Sequence, residues 1–283
     1  MNDLLLLLGS TVVLGSPLVL AAMGGLLSER SGVMNIALEG KMLTAACLTA
    51  VVSSLSGSAW AGVAAGVAAA VALSLVHALV TQHFKADHIV SGMGINALAA
   101  GGTSLLVKGI FDREGAAPSV FLPVAGYWVT ALVAALYLAW YLTRTRGGIR
   151  LMAVGNSPSK SRQMGLDPVR VRLVSLLAAG LLCGLGGSLI ASNAGSFTDG
   201  MTSGRGFIAL AALILGGWRP LPALAGCLAF GLAEALQLQL QGTPVMGLTI
   251  PTEAWNALPY LATLVALLFR RGRGGGPAGL GVD

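Results

Sequence analysis

The sequence predicts an all-α protein that crosses a membrane many times, and three observations support this fold class. Of the 283 residues, 55% are hydrophobic and only 10% are charged, with a mean hydropathy of +0.81. A protein surrounded by water carries more charge than this. Apolar stretches of membrane-spanning length also recur along the chain. Because hydrocarbon offers the backbone no hydrogen-bond partners, stretches this long and apolar form helices and not barrel strands.

We expect about eight or nine transmembrane helices in one membrane domain, residues 1–271. The first stretch lacks a preceding basic region and is too long for a signal sequence, so we expect it to be retained as a helix. The glycine-rich residues 272–283 are expected to form a disordered tail. The predicted spans lie at 4–27, 33–53, 60–81, 89–111, 124–142, 173–192, 222–241 and 257–269, with a shorter one at 206–217.

Positive charge is concentrated in one polar segment, residues 143–172. It contains seven of the 17 Lys and Arg residues, and Asp167 is its only acidic residue. Loops rich in Lys and Arg stay on the cytoplasmic side of a membrane. The segment and the C-terminus are therefore expected in the cytoplasm, and alternation of nine passes puts the N-terminus in the periplasm. This distribution points to membrane lipids, and not to nucleic acid, as the partner of the net charge of +6.

Within this segment the sequence predicts a short exposed helix over about 156–166. Asn156 or Ser157 can cap its start, Pro158 suits its first turn, and Gly165 can end it. A short helix between two spans can dock into a groove of a soluble partner and carry rigid-body motion to the bundle. The alternative is a basic loop that only satisfies the charge bias and binds anionic lipid.

Several motifs, taken in order along the chain, resemble those of a known family. They are Glu29–Gly40, Asp87–Gly92, Gly148–Pro158 with Met164–Asp167, Gly195–Ala212 and Gly216–Leu221. Together they resemble the permease subunits of bacterial ABC importers, in the branch that handles simple sugars and nucleosides and is distantly related to branched-chain amino acid permeases. Nucleoside-type permeases are the most similar. Lys41 is a departure, because an apolar residue is expected there.

The resemblance implies a transport subunit that forms the translocation pathway for nucleosides or a related sugar-bearing solute and binds no cofactor. ATP and Mg would be bound by a separate ABC ATPase, and no Walker-type motif occurs in this sequence. Further implied partners are a second, homologous permease that makes a heterodimer, and a periplasmic or lipid-anchored solute-binding protein, at the bacterial inner membrane. The implied coupling helix would contact the ATPase through Asn156, Ser157, Pro158, Lys160, Arg162 and Gly165.

Polar residues inside the predicted spans are candidate solute contacts, because polar groups in hydrocarbon are costly. Side-chain amides and carboxylates can bind sugar hydroxyls and purine edges. The alternatives are hydrogen bonds between helices, or an aromatic belt at the membrane surface. The candidate pathway residues are Asn35, Glu39, Asn96, Phe197, Glu234 and Gln237.

The sequence leaves two questions open: whether the chain contains an inverted repeat, and which energy source drives transport. Ser28–Leu38 is echoed by Thr202–Leu210, which indicates either an inverted repeat whose interrupted segments meet near the substrate path or a coincidence of two Gly/Ser-rich corners. The rival function is a secondary transporter driven by an ion gradient, with Glu39 or Glu234 titrating.

The three cysteines predict neither disulfides nor a metal site, and the three histidines are expected at the membrane interface.

Overall fold

The computed structural model describes residues 2–111, 116–118, 126–241, 255, 257, 261, 268 and 275–281. The predicted span at 257–269 and the segment 242–256 before it lie almost entirely outside the described residues. The helices are α1 (Asn2–Arg30), α2 (Leu38–Ser56), α3 (Ala59–Ala78), α4 (His88–Phe111), α5 (Tyr127–Arg144), α6 (Arg146–Asn156), α7 (Pro158–Gln163), α8 (Pro168–Ala194), α9 (Arg205–Leu215) and α10 (Pro220–Leu240).

The remaining regular structure is small. One π-helical turn, Leu79–His83, continues α3, and two antiparallel strands, β1 (Ala116–Pro118) and β2 (Ser196–Thr198), pair with each other. Among the described residues, six helices are long and apolar enough to cross a membrane: α1, α2, α3 with its π turn, α4, α8 and α10. The prediction of an all-α polytopic membrane protein is confirmed.

The bundle has two ends, and α7 marks one of them. This α7 face contains the end of α1, the π turn, α6 and the α9–α10 corner. Arg172, near the start of α8, joins the end of α1 to the π turn by donating hydrogen bonds to the carbonyl of Ser31 (3.3 Å) and to Oε1 of Gln82 (3.0 Å). The opposite end, the β face, contains β1, β2 and the end of α8. α1 runs from the β face to the α7 face.

The centre of the bundle is formed by α1, α2 and α8, which approach each other at glycines. A Cβ atom at Gly187 would overlap the carbonyl oxygen of Met42, and one at Gly24 would lie 2.9 Å from the carbonyl oxygen of Ala179. Small residues at helix crossings allow the close backbone contact that stabilises bundles in lipid. The outer helices α4 and α5 instead expose large apolar side chains, including Leu105 and Trp140, which suits a lipid environment.

Two spans are interrupted, one from each end of the bundle. Residues 31–37 run from the α7 face to the start of α2, and Val33 and Ala37 in this segment are fully buried. Residues 195–204 run from the β face to the start of α9, whose 11 residues rise about 16 Å, roughly half of a hydrocarbon core. The stretch at 206–217, predicted as a short span, is therefore the helical half of one pass.

The α6 helix differs from the expectation of a loop before α7. Its first turn is capped by Thr145, whose Oγ1 accepts a hydrogen bond from the Gly148 amide (3.0 Å). Leu151 and Val154 are buried while Arg150 is exposed, so the helix is amphipathic and lies on the bundle. The glycines at its start hid this helix from sequence reasoning because glycine disfavours helices. Gly148 is needed because a Cβ atom there would overlap the backbone of Tyr141.

Candidate functional site

α7 (Pro158–Gln163) lies within the predicted helix at 156–166 but is shorter: Asn156 ends α6, and the Ser157 side chain makes no capping hydrogen bond. Ser157 precedes it in an extended conformation and Pro158 occupies its first position. At its end, Gly165 has a φ of +80° and donates its amide to the carbonyl of Arg162 (3.0 Å). The amide of Leu166 donates to the carbonyl of Ser161 (3.0 Å). These two hydrogen bonds form a Schellman motif, which fixes where the helix stops.

The outer side of α7 is polar, basic and exposed. Lys160 and Arg162 point away from the bundle, and neither makes a salt bridge within the part of the chain that the structure describes. Asn156 and Gly165 at the two ends are exposed as well, while Ser157 and Pro158 are half-buried. Met164, 66% exposed, adds an apolar contact point beside the charges. Cationic groups around an exposed apolar side chain are suited to binding the groove of another protein.

The support beneath α7 connects it to the end of α1. A Cβ atom at Gly155, the penultimate residue of α6, would overlap the carbonyl oxygen of Arg30. Residues 275–281 lie against the same junction: the amide of Gly279 donates to the Gly155 carbonyl and that of Gly281 to the Gly32 carbonyl, both at 2.9 Å. Disorder of the tail stays a prediction for the rest of 272–283.

The end of α1 is tied in turn to the α9–α10 corner. The indole Nε1 of Trp218 donates to Oε2 of Glu29 (2.5 Å), and Nε of Arg30 donates to the Trp218 carbonyl (2.8 Å). An unbroken series of packed and hydrogen-bonded groups therefore connects α7 to α9, the helical half of the interrupted pass. A displacement of α7 would be transmitted along this series.

Glu39 joins the two interrupted segments. Its Oε1 accepts hydrogen bonds from Thr202 Oγ1 (2.6 Å) and from the Gly204 amide (2.9 Å), and its Oε2 accepts one from the Gly206 amide (2.6 Å). The carboxylate thus caps α9 from a different helix, where a negative charge is favoured. The Ser28–Leu38 and Thr202–Leu210 segments enter from opposite ends, and Glu39, directly after the first, bonds to the second. An inverted repeat stays a prediction.

Glu234 forms an ion pair with Arg205 at the first position of α9. Nη2 of Arg205 donates to Oε1 of Glu234, and Nη1 donates to the carbonyl of Met201 (3.2 Å). Both side chains are about one-fifth exposed, at 21% and 18%. Ionisable groups at membrane depth are paired in this way because an isolated charge is costly. Gln237, one turn further along α10, is half-buried.

Two asparagines surround the start of α2: Asn35 precedes this helix in the chain, and Asn96 reaches it from α4. The Oδ1 of Asn96 accepts a hydrogen bond from the Gly40 amide (2.8 Å), and its Nδ2 donates to the Ile36 carbonyl (3.0 Å). Asn35 is fully buried; its Nδ2 donates to Ser28 Oγ (3.1 Å) and its Oδ1 accepts from Nζ of Lys41 (2.9 Å). Both amides satisfy polar groups of an interrupted helix, which would otherwise be unpaired in the bundle.

Phe197, His77 and His88 are buried in the bundle, whereas His83 at the end of the π turn is exposed. Phe197 on β2 is fully buried and packs with apolar residues of α2 and α4. His77, expected at the interface, is fully buried: its Nε2 is 3.1 Å from the Met34 carbonyl oxygen and its Nδ1 is 2.9 Å from Ser91 Oγ. The Met34 amide donates to Nδ1 of His88 (3.3 Å). These rings satisfy backbone groups of the irregular segment 31–37, which explains their burial.

A cavity of about 410 Å³ opens near the β face. Asn193 at the end of α8 contributes a buried Oδ1 that has no hydrogen-bond partner among the described residues. Sequence reasoning missed this residue because a single asparagine at the end of a span resembles an ordinary helix terminus. The lining residues are Val13, Leu14, Pro17, Ile190, Asn193, Ala194, Thr198, Met201, Ser203 and Arg205.

The six candidate pathway residues therefore do not form one cluster. Glu39 and Glu234 lie on either side of the start of α9, Asn35 and Asn96 support the start of α2, and Phe197 is in the core. Their contact with solute stays a prediction. Within the described residues, no group of three or more His, Cys, Asp or Glu side chains could hold a metal ion.

Comparisons with known proteins place the chain among transport proteins. Residues 7–267 match the family described as branched-chain amino acid transport system, permease component. The chain is similar to the guanosine ABC transporter permease protein NupQ of Bacillus subtilis, with 36% identity over 96% of this chain and 94% of that protein. It is also similar to the nucleoside ABC transporter permease protein NupC of Lactococcus lactis, with 30% identity over 100% of this chain and 97% of that protein.

Proposed function

Because the chain belongs to the family of branched-chain amino acid transport system permease components, and is thus a permease subunit of an ABC importer, we propose that it forms the translocation pathway for nucleosides. Two similar permeases that align over nearly their whole length are named for guanosine and for nucleosides. The bundle contains two interrupted segments that meet inside it, an arrangement that transporters use to build a solute path.

The observation that carries the coupling part of this proposal is α7. It is a capped, exposed and basic helix held between two spans, and its support leads through Gly155, Arg30 and Trp218 to α9. A separate ABC ATPase binds ATP and Mg and contacts Asn156, Ser157, Pro158, Lys160, Arg162 and Gly165. This assignment places the α7 face and the C-terminus in the cytoplasm and the N-terminus in the periplasm of a bacterial inner membrane.

The complete importer needs further chains. The pathway lies between this permease and a second, homologous one in a heterodimer, and a periplasmic or lipid-anchored protein delivers the solute to the β face. ATP binding moves the ATPase subunits, α7 follows as part of a rigid body, and the bundle alternates between outward and inward openings. In this mechanism Glu39 and Glu234 hold the bundle together and do not exchange protons.

Uptake by the assembled complex tests this assignment against the ion-coupled rival. With ATP held constant in proteoliposomes, collapsing the proton and sodium gradients with ionophores is expected to leave guanosine uptake unchanged. Removal of ATP at an intact gradient is expected to reduce uptake at least about tenfold, because conformational cycling then lacks its energy source. The measurement is the initial rate of radiolabelled guanosine accumulation. Uptake that follows the gradient and ignores ATP contradicts the proposal.

A further inference from the structure

We propose that the cavity of about 410 Å³ between α1, α8 and residues 195–205 is a nucleoside-binding subsite on the pathway, and that the amide of Asn193 is its recognition group. This inference rests on the proposed function, since it names the place where the solute of that pathway binds. The cavity is distinct from the α7 face and lies at the other end of the bundle, where the solute enters.

The size and lining of the cavity suit a small polar solute with one flat apolar face. Its volume falls within the range of about 300–1,000 Å³ that is usual for small-molecule sites. Leu14, Ile190 and Met201 offer apolar surface, while Thr198 and Ser203 offer hydroxyl groups. A nucleoside combines these properties, because its base has apolar faces and its ribose carries hydroxyl groups.

Asn193 supplies the evidence that the cavity binds something other than lipid. Its Oδ1 is buried and unpaired within the described chain, and a buried acceptor without a partner costs about 1–3 kcal/mol. Asn193 lines the cavity, and rotation of its amide about the Cβ–Cγ bond would turn this oxygen toward it. A solute hydroxyl or ring N–H group would then satisfy the oxygen, whereas an acyl chain would not. The side-chain amide also carries two donors, so it can form a paired contact with a base edge.

The charges that line the cavity predict that phosphorylated solutes do not bind there. Arg205 is the one charged side chain among the described residues that line it, and its guanidinium is already paired with Glu234 and with the Met201 carbonyl. The Glu234 carboxylate balances the charge of Arg205, so the described lining of the cavity carries no net positive charge to attract a phosphate group. The site is expected to accept an uncharged nucleoside and to reject the corresponding nucleotide.

Solute protection of an engineered cysteine tests the subsite directly. The three native cysteines, Cys47, Cys183 and Cys227, are buried, whereas Ser203 on the cavity wall is exposed. In the assembled complex, guanosine at about ten times its dissociation constant is expected to slow maleimide labelling of Ser203→Cys about tenfold, by mass action. Guanosine monophosphate at the same concentration is expected to give no protection.

Asn193→Ala, added to Ser203→Cys, is expected to raise the guanosine concentration for half-protection about 3- to 10-fold, as loss of one buried hydrogen bond predicts. Gln239→Cys, on a separate surface pocket of α1 and α10, is the control and should show no protection. If the parent complex imports guanosine but Ser203→Cys is not protected, or Asn193→Ala leaves half-protection unchanged, the subsite is wrong and the transport function stands. If the parent complex does not import guanosine, the proposed function itself is wrong.

Discussion

Glu39→Ala is expected to lower the free energy of unfolding by about 2–4 kcal/mol. The substitution removes an acceptor that serves two backbone amides and one hydroxyl at the start of α9. Hydrogen bonds to a charged group contribute about 1.5–3 kcal/mol each, and partial exposure of this carboxylate reduces their sum. The loss should appear as a lower thermal unfolding midpoint of the purified permease in detergent micelles.

Glu39→Gln keeps the shape of the side chain and one strong acceptor, so it should fall between the parent and Glu39→Ala. A matched control at the opposite end of the same helix is Ser56→Ala, which removes an exposed hydroxyl whose hydrogen bonds stay with Val52 and Ser58. Equal unfolding midpoints for Glu39→Ala and the parent would show that the two interrupted segments do not depend on this carboxylate.

Reversal of two charges on α7 is expected to abolish assembly with the ATPase. Lys160→Glu with Arg162→Glu changes the exposed side of this helix from basic to acidic, and like charges brought together in an interface cost several kcal/mol. Co-purification of the ATPase with the permease should fall more than about tenfold. Guanosine-stimulated ATP hydrolysis by the complex should disappear with it.

Arg144→Glu is the matched control for this pair, because Arg144 is an exposed cation at the end of α5 on the same face but outside α7. It should retain ATPase binding. Size-exclusion profiles of the purified permease without the ATPase should be identical for all variants, because the side chains of Arg144, Lys160 and Arg162 are all exposed. Retention of the ATPase by the double variant, or equal loss by Arg144→Glu, contradicts the role given to α7.

The sequence was sufficient to predict α7 because each of its boundaries depends on one local residue. Pro158 and Gly165 have conformations that few other residues share, and both act within their own segment. α6 was not predictable in the same way. Its glycines lower the local preference for a helix, and the contact of Gly148 with the end of α5 compensates, which is a tertiary effect that the sequence does not display.

The same difference between local and tertiary effects explains why the partners of the polar residues could not be predicted. The sequence predicts that Asn35, Glu39 and Glu234 need partners inside a membrane, because unpaired polar groups are costly there. The identity of the partners depends on contacts between distant parts of the chain: Glu39 meets Gly204 and Gly206, and Glu234 meets Arg205. Their pairing within the bundle could therefore not be distinguished from solute contact before the fold was known.

The interrupted passes gave a weaker signal than the continuous ones. Mean apolarity identified 206–217 as a span, but it could not show that α9 begins inside the bundle with a cap supplied by α2.

The buried lysine at position 41 was similarly unexpected. Its Nζ is accommodated because it donates a hydrogen bond to Oδ1 of Asn35, whose Nδ2 in turn donates to Ser28 Oγ.

Two-sided labelling of one cysteine tests the central assignment most directly. Gln163→Cys lies on the exposed end of α7, and the native cysteines are buried. A membrane-impermeant maleimide should label it in inside-out vesicles that lack the ATPase, should lose access when the ATPase is bound, and should never reach it in intact spheroplasts. Labelling from the outside, or unchanged labelling in the assembled complex, would contradict the account.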